Sequence, residues 1–262
     1  MRGEDPVPVW MYHNIADDLG AVTPVDRPYV VSSETFRAHL RLLALLGVDG
    51  TRLDALLDPG PVAPVNRRPG VITFDDGHES NCTIALPFLL EAGFKATFFV
   101  TVGWIGQAPY MSWDQIKALA TAGMEIGSHS MTHRPPSTLT RAELHAEMAD
   151  SRKRLEDGLG LPIVTASSPT GFFNPEMIPV AREAGYRALC YGRIALWKDR
   201  RDAYRIPRLP VKRQTPPSDL RGMALGHRFV LARLRAQQMA RNGLKVALGV
   251  DRYLRLRRLL VR

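Results

Sequence analysis

Cysteine is almost absent from this chain. Two residues, Cys82 and Cys190, cannot staple a disulfide scaffold, and their spacing fits no metal knuckle. Both read as small buried hydrophobes. Long apolar runs are missing too. None reaches the ~20 residues that a membrane helix needs, and the opening Met1-Arg2-Gly3-Glu4-Asp5-Pro6 has no apolar leader core. These absences give the expectation of a cytoplasmic protein. Acidic residues are scarce in one place only. The chain has 35 Lys and Arg against 26 Asp and Glu, a net +9. Residues 221–262 hold 11 of the bases and a single acid, Asp251, which leaves 24 bases and 25 acids in residues 1–220. The body is therefore close to neutral and the tail is strongly basic. No recognition pattern accompanies that charge, so nucleic acid is not an expected partner.

What the chain does have is apolar substance, 45% of 262 residues, enough to bury one large α/β core or two small ones. The stretch that organises it is Val71-Ile72-Thr73-Phe74-Asp75-Asp76-Gly77-His78. The apolar, β-branched front half follows Pro69-Gly70 and reads as a buried strand. Two adjacent carboxylates at the strand end suit the lip of an active site, because consecutive strand residues point to opposite sides and Gly77 permits a sharp turn. A second strand-like run, Met124-Glu125-Ile126-Gly127, opens into Ser128-His129-Ser130-Met131-Thr132-His133. Two imidazoles four residues apart share a face if that segment is helical. One carboxylate with two histidines makes a three-ligand set that leaves positions for water and substrate.

Strands and helices alternate along the chain. Residues 8–13 read as the first strand, and His13 ends it; a place at the top of the fold and a surface or core role are both open for this residue. Ser33 is the expected cap of a helix whose apolar face is Phe36, Leu40 and Leu43, with Leu46-Gly47 as its stop. Residues 96–101, 163–166 and 186–190 read as further strands. Ser112 with Gln115, and Thr140 with Glu143, read as capping boxes opening two more helices. Prolines demote residues 204–211 to an edge or closing strand. This alternation implies an α/β fold with a parallel sheet, and about seven units suggest a closed barrel.

Thr73-Phe74-Asp75-Asp76-Gly77 and His129-Ser130-x-x-His133 resemble the first two motifs of the polysaccharide deacetylases, carbohydrate esterase family four. Lys95-Ala96-Thr97-Phe98-Phe99-Val100 and Ala184-Gly185-Tyr186 extend the likeness over roughly residues 8–211. The Tyr12-His13 pair is similar to the subgroup that handles exopolysaccharide N-acetylglucosamine. The resemblance implies a distorted seven-stranded (β/α) barrel, assigned to residues 1–217; residues 218–262 read from their own composition as an added basic helical tail. The resemblance also implies that Asp76, His129 and His133 bind a divalent metal, zinc for preference, with cobalt, nickel or manganese as substitutes. Asp75 would be the general base. His13, His78, Pro169, Thr170 and Gly171 are candidates for contact with substrate.

The implied function is metal-dependent removal of N-acetyl groups from an N-acetylhexosamine glycan or lipid-linked sugar, in exopolysaccharide biosynthesis. One departure bears on it. The third motif here, Ser167-Ser168-Pro169-Thr170-Gly171, lacks the arginine of the commoner members, and no Leu-His pair follows the last strand. The proton donor to the leaving amine is therefore open among His13, His78 and Asp75. The same departure keeps two alternatives in play, a non-catalytic carbohydrate-binding barrel and a metallohydrolase of a non-sugar amide. For the tail, the expectation is helix broken near Asn242-Gly243, with Val246, Val250, Tyr253, Leu254, Leu260 and Val261 on one side and Arg257 intruding. It reads either as a helix on an anionic membrane at the inner face or as one packed on the barrel.

Overall fold

Parallel strands covered on both faces need largely apolar residues, and Val71, Ile72 and Phe74 supply them, while the buried Thr73 hydroxyl donates to the Trp10 carbonyl (2.9 Å). The structure, a computed structural model, describes residues 5–20, 22–24, 26–58 and 67–248. Its strands are β1 (Val9–Tyr12), β2 (Asn14–Ile15), β3 (Val30–Val31), β4 (Val48–Thr51), β5 (Arg68–Phe74), β6 (Thr97–Val100), β7 (Glu125–Ser128), β8 (Thr165–Ser167), β9 (Ala188–Tyr191), β10 (Ile206–Pro207) and β11 (Leu209–Pro210). The main sheet runs β1, β5, β6, β7, β8, β9, β10, and its pairings are parallel throughout. β11 then pairs with β1, Trp10 opposite Leu209.

Only Arg208 separates β10 from β11, so residues 206–210 act as one stave, paired with β9 at one end and β1 at the other. That split stave brings the sheet nearly full circle. The expected seven-stranded (β/α) barrel is the architecture found, with two differences. Its last stave is broken at Arg208, and β4 lies outside the ring against the first half of β5.

The helices are α1 (Ser33–Leu45), α2 (Leu86–Glu91), α3 (Trp113–Thr121), α4 (Arg141–Leu159), α5 (Met177–Glu183), α6 (Pro217–Ala224) and α7 (Arg228–Leu248). Both expected capping boxes are present, at α3 and α4. The cap of α1 is Ser32, not Ser33. Ser33 is drawn away because its amide and hydroxyl both donate to Asp17, at 2.8 and 2.6 Å.

The helical break also falls elsewhere than expected. It lies between α6 and α7, where Gly226 takes φ +67°, and α7 continues through Asn242 and Gly243. A glycine inside a helix costs only about 1 kcal/mol; a left-handed one ends it. α6 and the start of α7 share the barrel core, with Leu220, Met223 and Leu231 buried in one cluster with Trp10 and Phe74. Gly222 lets the two helices meet, since a Cβ there would lie 2.6 Å from Val230. The apolar face expected farther on, through Val250, Tyr253, Leu254, Leu260 and Val261, lies outside the described residues, as does Arg257. Among the described residues no helix is long and apolar enough to cross a membrane.

Candidate active site

β5 delivers Asp75 to the barrel interior, where its amide continues the ladder by donating to the Tyr12 carbonyl (3.0 Å). Strand alternation would send the next side chain the other way, yet both carboxylates serve one site. The reason is backbone geometry: Asp76 takes φ +76° and Gly77 φ +85°, so the chain reverses hand at the strand end. Four non-glycine residues have positive φ among those described, namely Asp76, Ser130, His133 and Thr170. Asp76, His133 and Thr170 line one cleft, and Ser130 lies between the two histidines. Strain of this kind persists only where surrounding structure enforces it.

The segment from His129 to His133 is not helical. It is a turn after β7, because the Met131 and Thr132 amides donate to the Glu147 carboxylate of α4 (2.9 and 2.8 Å) instead of to helical carbonyls. The Thr132 hydroxyl donates to the same carboxylate. The turn still brings the rings together, with centroids 5.0 Å apart.

Asp76 Oδ1 lies 3.5 Å from His129 Nε2 and 3.4 Å from His133 Nε2. It is buried and accepts no hydrogen bond. His129 Nδ1 sits 3.0 Å from the Ser167 carbonyl, which can only accept. Nδ1 therefore carries the proton and Nε2 presents its lone pair to the site. An ion held tetrahedrally at 2.0–2.2 Å would have ligands about 3.3–3.6 Å apart. An orphaned oxygen and two imidazole nitrogens at these separations fit a first-row divalent metal.

The sequence reading missed Arg208. It lies at the break in the closing stave and its side chain is fully buried. Nη1 and Nη2 reach the two Asp75 oxygens at 2.6 and 2.7 Å, a bidentate pair. The Ser167 hydroxyl donates weakly to Asp75 Oδ1 (3.5 Å), and His129 Nε2 is 3.9 Å from Oδ2. Burial opposes ionisation of Asp75, but Arg208 and the imidazoles outweigh it and hold the carboxyl below its usual range. The same contest at Asp76 is won by His133, His13 and His129, which hold it well below the usual carboxylate range. Burial pushes the His129 imidazole down to about 4, against the pull of both carboxylates.

The cleft around these groups measures about 550 Å³. His13, Thr170 and Gly171 line it. His13 packs on Tyr29, ring centroids 4.8 Å apart, and its Nδ1 is buried without a hydrogen bond. Two candidates fall elsewhere. Pro169 is buried beside a smaller cavity. His78 holds the turn after β5: its Nδ1 accepts from the Ser80 hydroxyl (2.9 Å) and the Ser80 amide (3.1 Å). A further unexpected member is Gln238 of α7, which lines the cleft and donates to the Gly192 carbonyl.

Residues 63–189, which carry both aspartates and both histidines, match the family model for polysaccharide deacetylases. The chain carries a polysaccharide deacetylase domain. The matched stretch of that domain ends before Arg208. YxkH of Bacillus subtilis strain 168, provisionally named as a polysaccharide deacetylase, is 30% identical over 182 residues, 69% of this chain and 62% of that protein. The peptidoglycan-N-acetylglucosamine deacetylase of Bacillus cereus is 30% identical over 129 residues, 49% of this chain and 58% of its own length. The chain thus spans less than two thirds of either curated relative. Among solved structures, the Streptococcus pyogenes deacetylase PplD, determined with acetate, shares the fold at a TM-score of 0.74. Its identity is 20%, over 84% of this chain and 99% of that one.

Proposed function

We propose that the protein is a metal-dependent deacetylase that removes N-acetyl groups from an N-acetylhexosamine glycan or lipid-linked sugar. The observation that carries this reading is the convergence of Asp76 Oδ1, His129 Nε2 and His133 Nε2, within 4.8 Å of one another, beside the ionised Asp75. Those three groups would hold the metal, and zinc would suit their imidazole-rich set best, with cobalt, nickel or manganese as substitutes. A divalent ion there supplies Lewis acidity, lowering the pKa of water toward ~7 and polarising the acetamide carbonyl.

The chain's own groups do the rest. Ser167 fixes the His129 tautomer. Asp75 accepts the proton of the attacking water, a role worth roughly 10²–10⁴ in rate. Arg208 keeps Asp75 charged and aimed, at some cost in base strength. The amide of Thr170 is the donor for the developing oxyanion, since the Gly171 amide is spent on the Ser168 carbonyl (3.1 Å). His13 gives a proton to the leaving amine: its residue lines the cleft and its buried Nδ1 is committed to no other group, while His78 has its Nδ1 engaged outside the cleft. The missing third-motif arginine had favoured a non-catalytic barrel. An arginine does reach Asp75, from another element, which answers that half of the case; the missing Leu-His pair is the half that still favours it.

The test is acetate release from a panel of N-acetylated oligosaccharides and lipid-linked sugars, with bound metal measured in parallel. Chelation should abolish release and added zinc restore it. Asp75→Asn should keep its metal and lose turnover, whereas His129→Ala should lose both. Release indifferent to chelator, or an Asp75→Asn variant as metal-poor as His129→Ala, would overturn the assignment.

A further inference from the structure

α7 is apolar on two sides. Its inner side buries Leu231, half-buries Leu234 and brings Gln238 to the cleft wall. Its outer side carries Phe229, Ala232, Ala236 and Met239, all exposed. That spacing confines them to about 80° of the helix circumference at 3.6 residues per turn. Phe229 is 79% exposed and Met239 73%. Isolated surface hydrophobes need no explanation; two large ones aligned on one helical stripe do. Arginines flank the stripe. The Arg228 guanidinium stands over the Phe229 ring, 5.5 Å from its centroid. Arg233 pairs with Asp219 yet keeps 49% of its side chain exposed. Arg235 donates from Nε to the Ile194 carbonyl (2.7 Å). Residues 228–250 contain five Lys or Arg and no acid.

We propose that this outer face of α7 binds an anionic lipid surface. A narrow, convex apolar stripe bordered by arginines, on a helix with no acid of its own and with Asp219 paired to Arg233, matches the headgroup boundary of such a membrane, where apolar side chains insert and arginines meet lipid phosphate. A folded protein partner would need a complementary groove around the stripe, and the one-signed charge selects against most of them. Because Gln238 on the inner side of the same helix lines the cleft, docking sets the cleft beside the bilayer. With the deacetylase reading, on which this last step rests, the substrate is then a sugar carried on a membrane lipid.

The experiment uses the full chain and phosphatidylcholine vesicles with and without phosphatidylglycerol. Wild type should co-sediment with the anionic vesicles alone, less so as salt rises. The double variant Phe229→Asp/Met239→Asp should lose at least tenfold in binding. Leu45→Asp, at an equally exposed site on α1, should bind as wild type does. Melting temperatures should match in all three, since neither stripe residue packs inward. Absent wild-type binding, equal binding by the double variant, or equal binding to neutral vesicles would overturn the proposal. So would a double variant that melts several degrees lower, which would mean that another part of the chain covers the stripe, or one that only dissociates a dimer. Acetate release from soluble and lipid-linked N-acetylated sugars in detergent, followed alongside, separates the two readings. No release from either by wild type counts against catalysis and leaves lipid binding standing; release without vesicle binding counts against this proposal alone.

Discussion

Arg208 and Glu147 are the residues that turn a sequence motif into a site. Arg208 is fully charged in the barrel interior, and burying an ion pair there gains little net stability. Its value is that Asp75 stays ionised with both oxygens fixed, which the proposed role as a base requires. Glu147 acts on the other half of the site. Its carboxylate takes two amides and a hydroxyl from the residues between His129 and His133, and so holds a turn in which Ser130 and His133 are left-handed. Glu147→Gln keeps the shape and one acceptor oxygen but removes the charge. Groups that orient metal ligands are typically worth 10–100-fold in affinity. The variant should therefore bind zinc about 10–100-fold more weakly at unchanged stoichiometry, as measured by competition with a chromophoric chelator. Unchanged affinity would mean that other contacts hold the turn.

At the scale of elements, the far end of the barrel carries its own buried acid. Glu125 opens β7 and ties three strands and a connector together. It accepts from Thr97 (2.7 Å), Thr165 (2.5 Å) and the Asp54 amide (3.0 Å). Burial, with the charge of Asp54 adding, pushes its carboxyl up to about 7 against those donors. Between the ordinary value of 4.5 and about 7 the folded chain keeps a proton that the unfolded chain has released. Stability therefore falls as pH rises through that window, and the loss persists above it. His39 works in the opposite sense. Burial lowers it to about 4, so stability is gained as pH rises from there to its ordinary value of 6.5. The wild-type curve mixes the two slopes, and a variant isolates one. Glu125→Gln should gain melting temperature relative to wild type as pH is raised from about 5 to 8, because only the wild type then carries the desolvated carboxylate. Parallel curves across that range would show that Glu125 ionises normally in the fold.

Over the whole molecule, what could be read from sequence was what is local. The two capping boxes, the β5 run and its Asp-Asp-Gly end, and the histidine pair are each contained in a few consecutive residues. Arg208 was illegible as a site residue because its partner is 133 positions away and only barrel closure joins them. The one local hint was a lone arginine inside the apolar, proline-spaced run Ile206-Pro207-Arg208-Leu209-Pro210. Glu147 and Gln238 were hidden likewise, each placed by the packing of a helix. The histidine spacing suggested a helix and belongs to a turn, because a carboxylate from α4 outbids the helical carbonyls. The charge division between body and tail was plain in the composition. That the start of the tail packs on the barrel was not, since Leu231 and Leu234 look the same in sequence as the exposed Phe229.

The proposed chemistry stands or falls on whether Asp76, His129 and His133 share one metal ion. Diffraction from zinc-loaded crystals, recorded above and below the zinc absorption edge, decides this. The expected result is a single strong anomalous peak about 2.0–2.2 Å from Asp76 Oδ1, His129 Nε2 and His133 Nε2, with Asp75 beside it and still paired to Arg208. Active enzyme with no peak at that position, or with Asp75 bound directly to the ion, would contradict it.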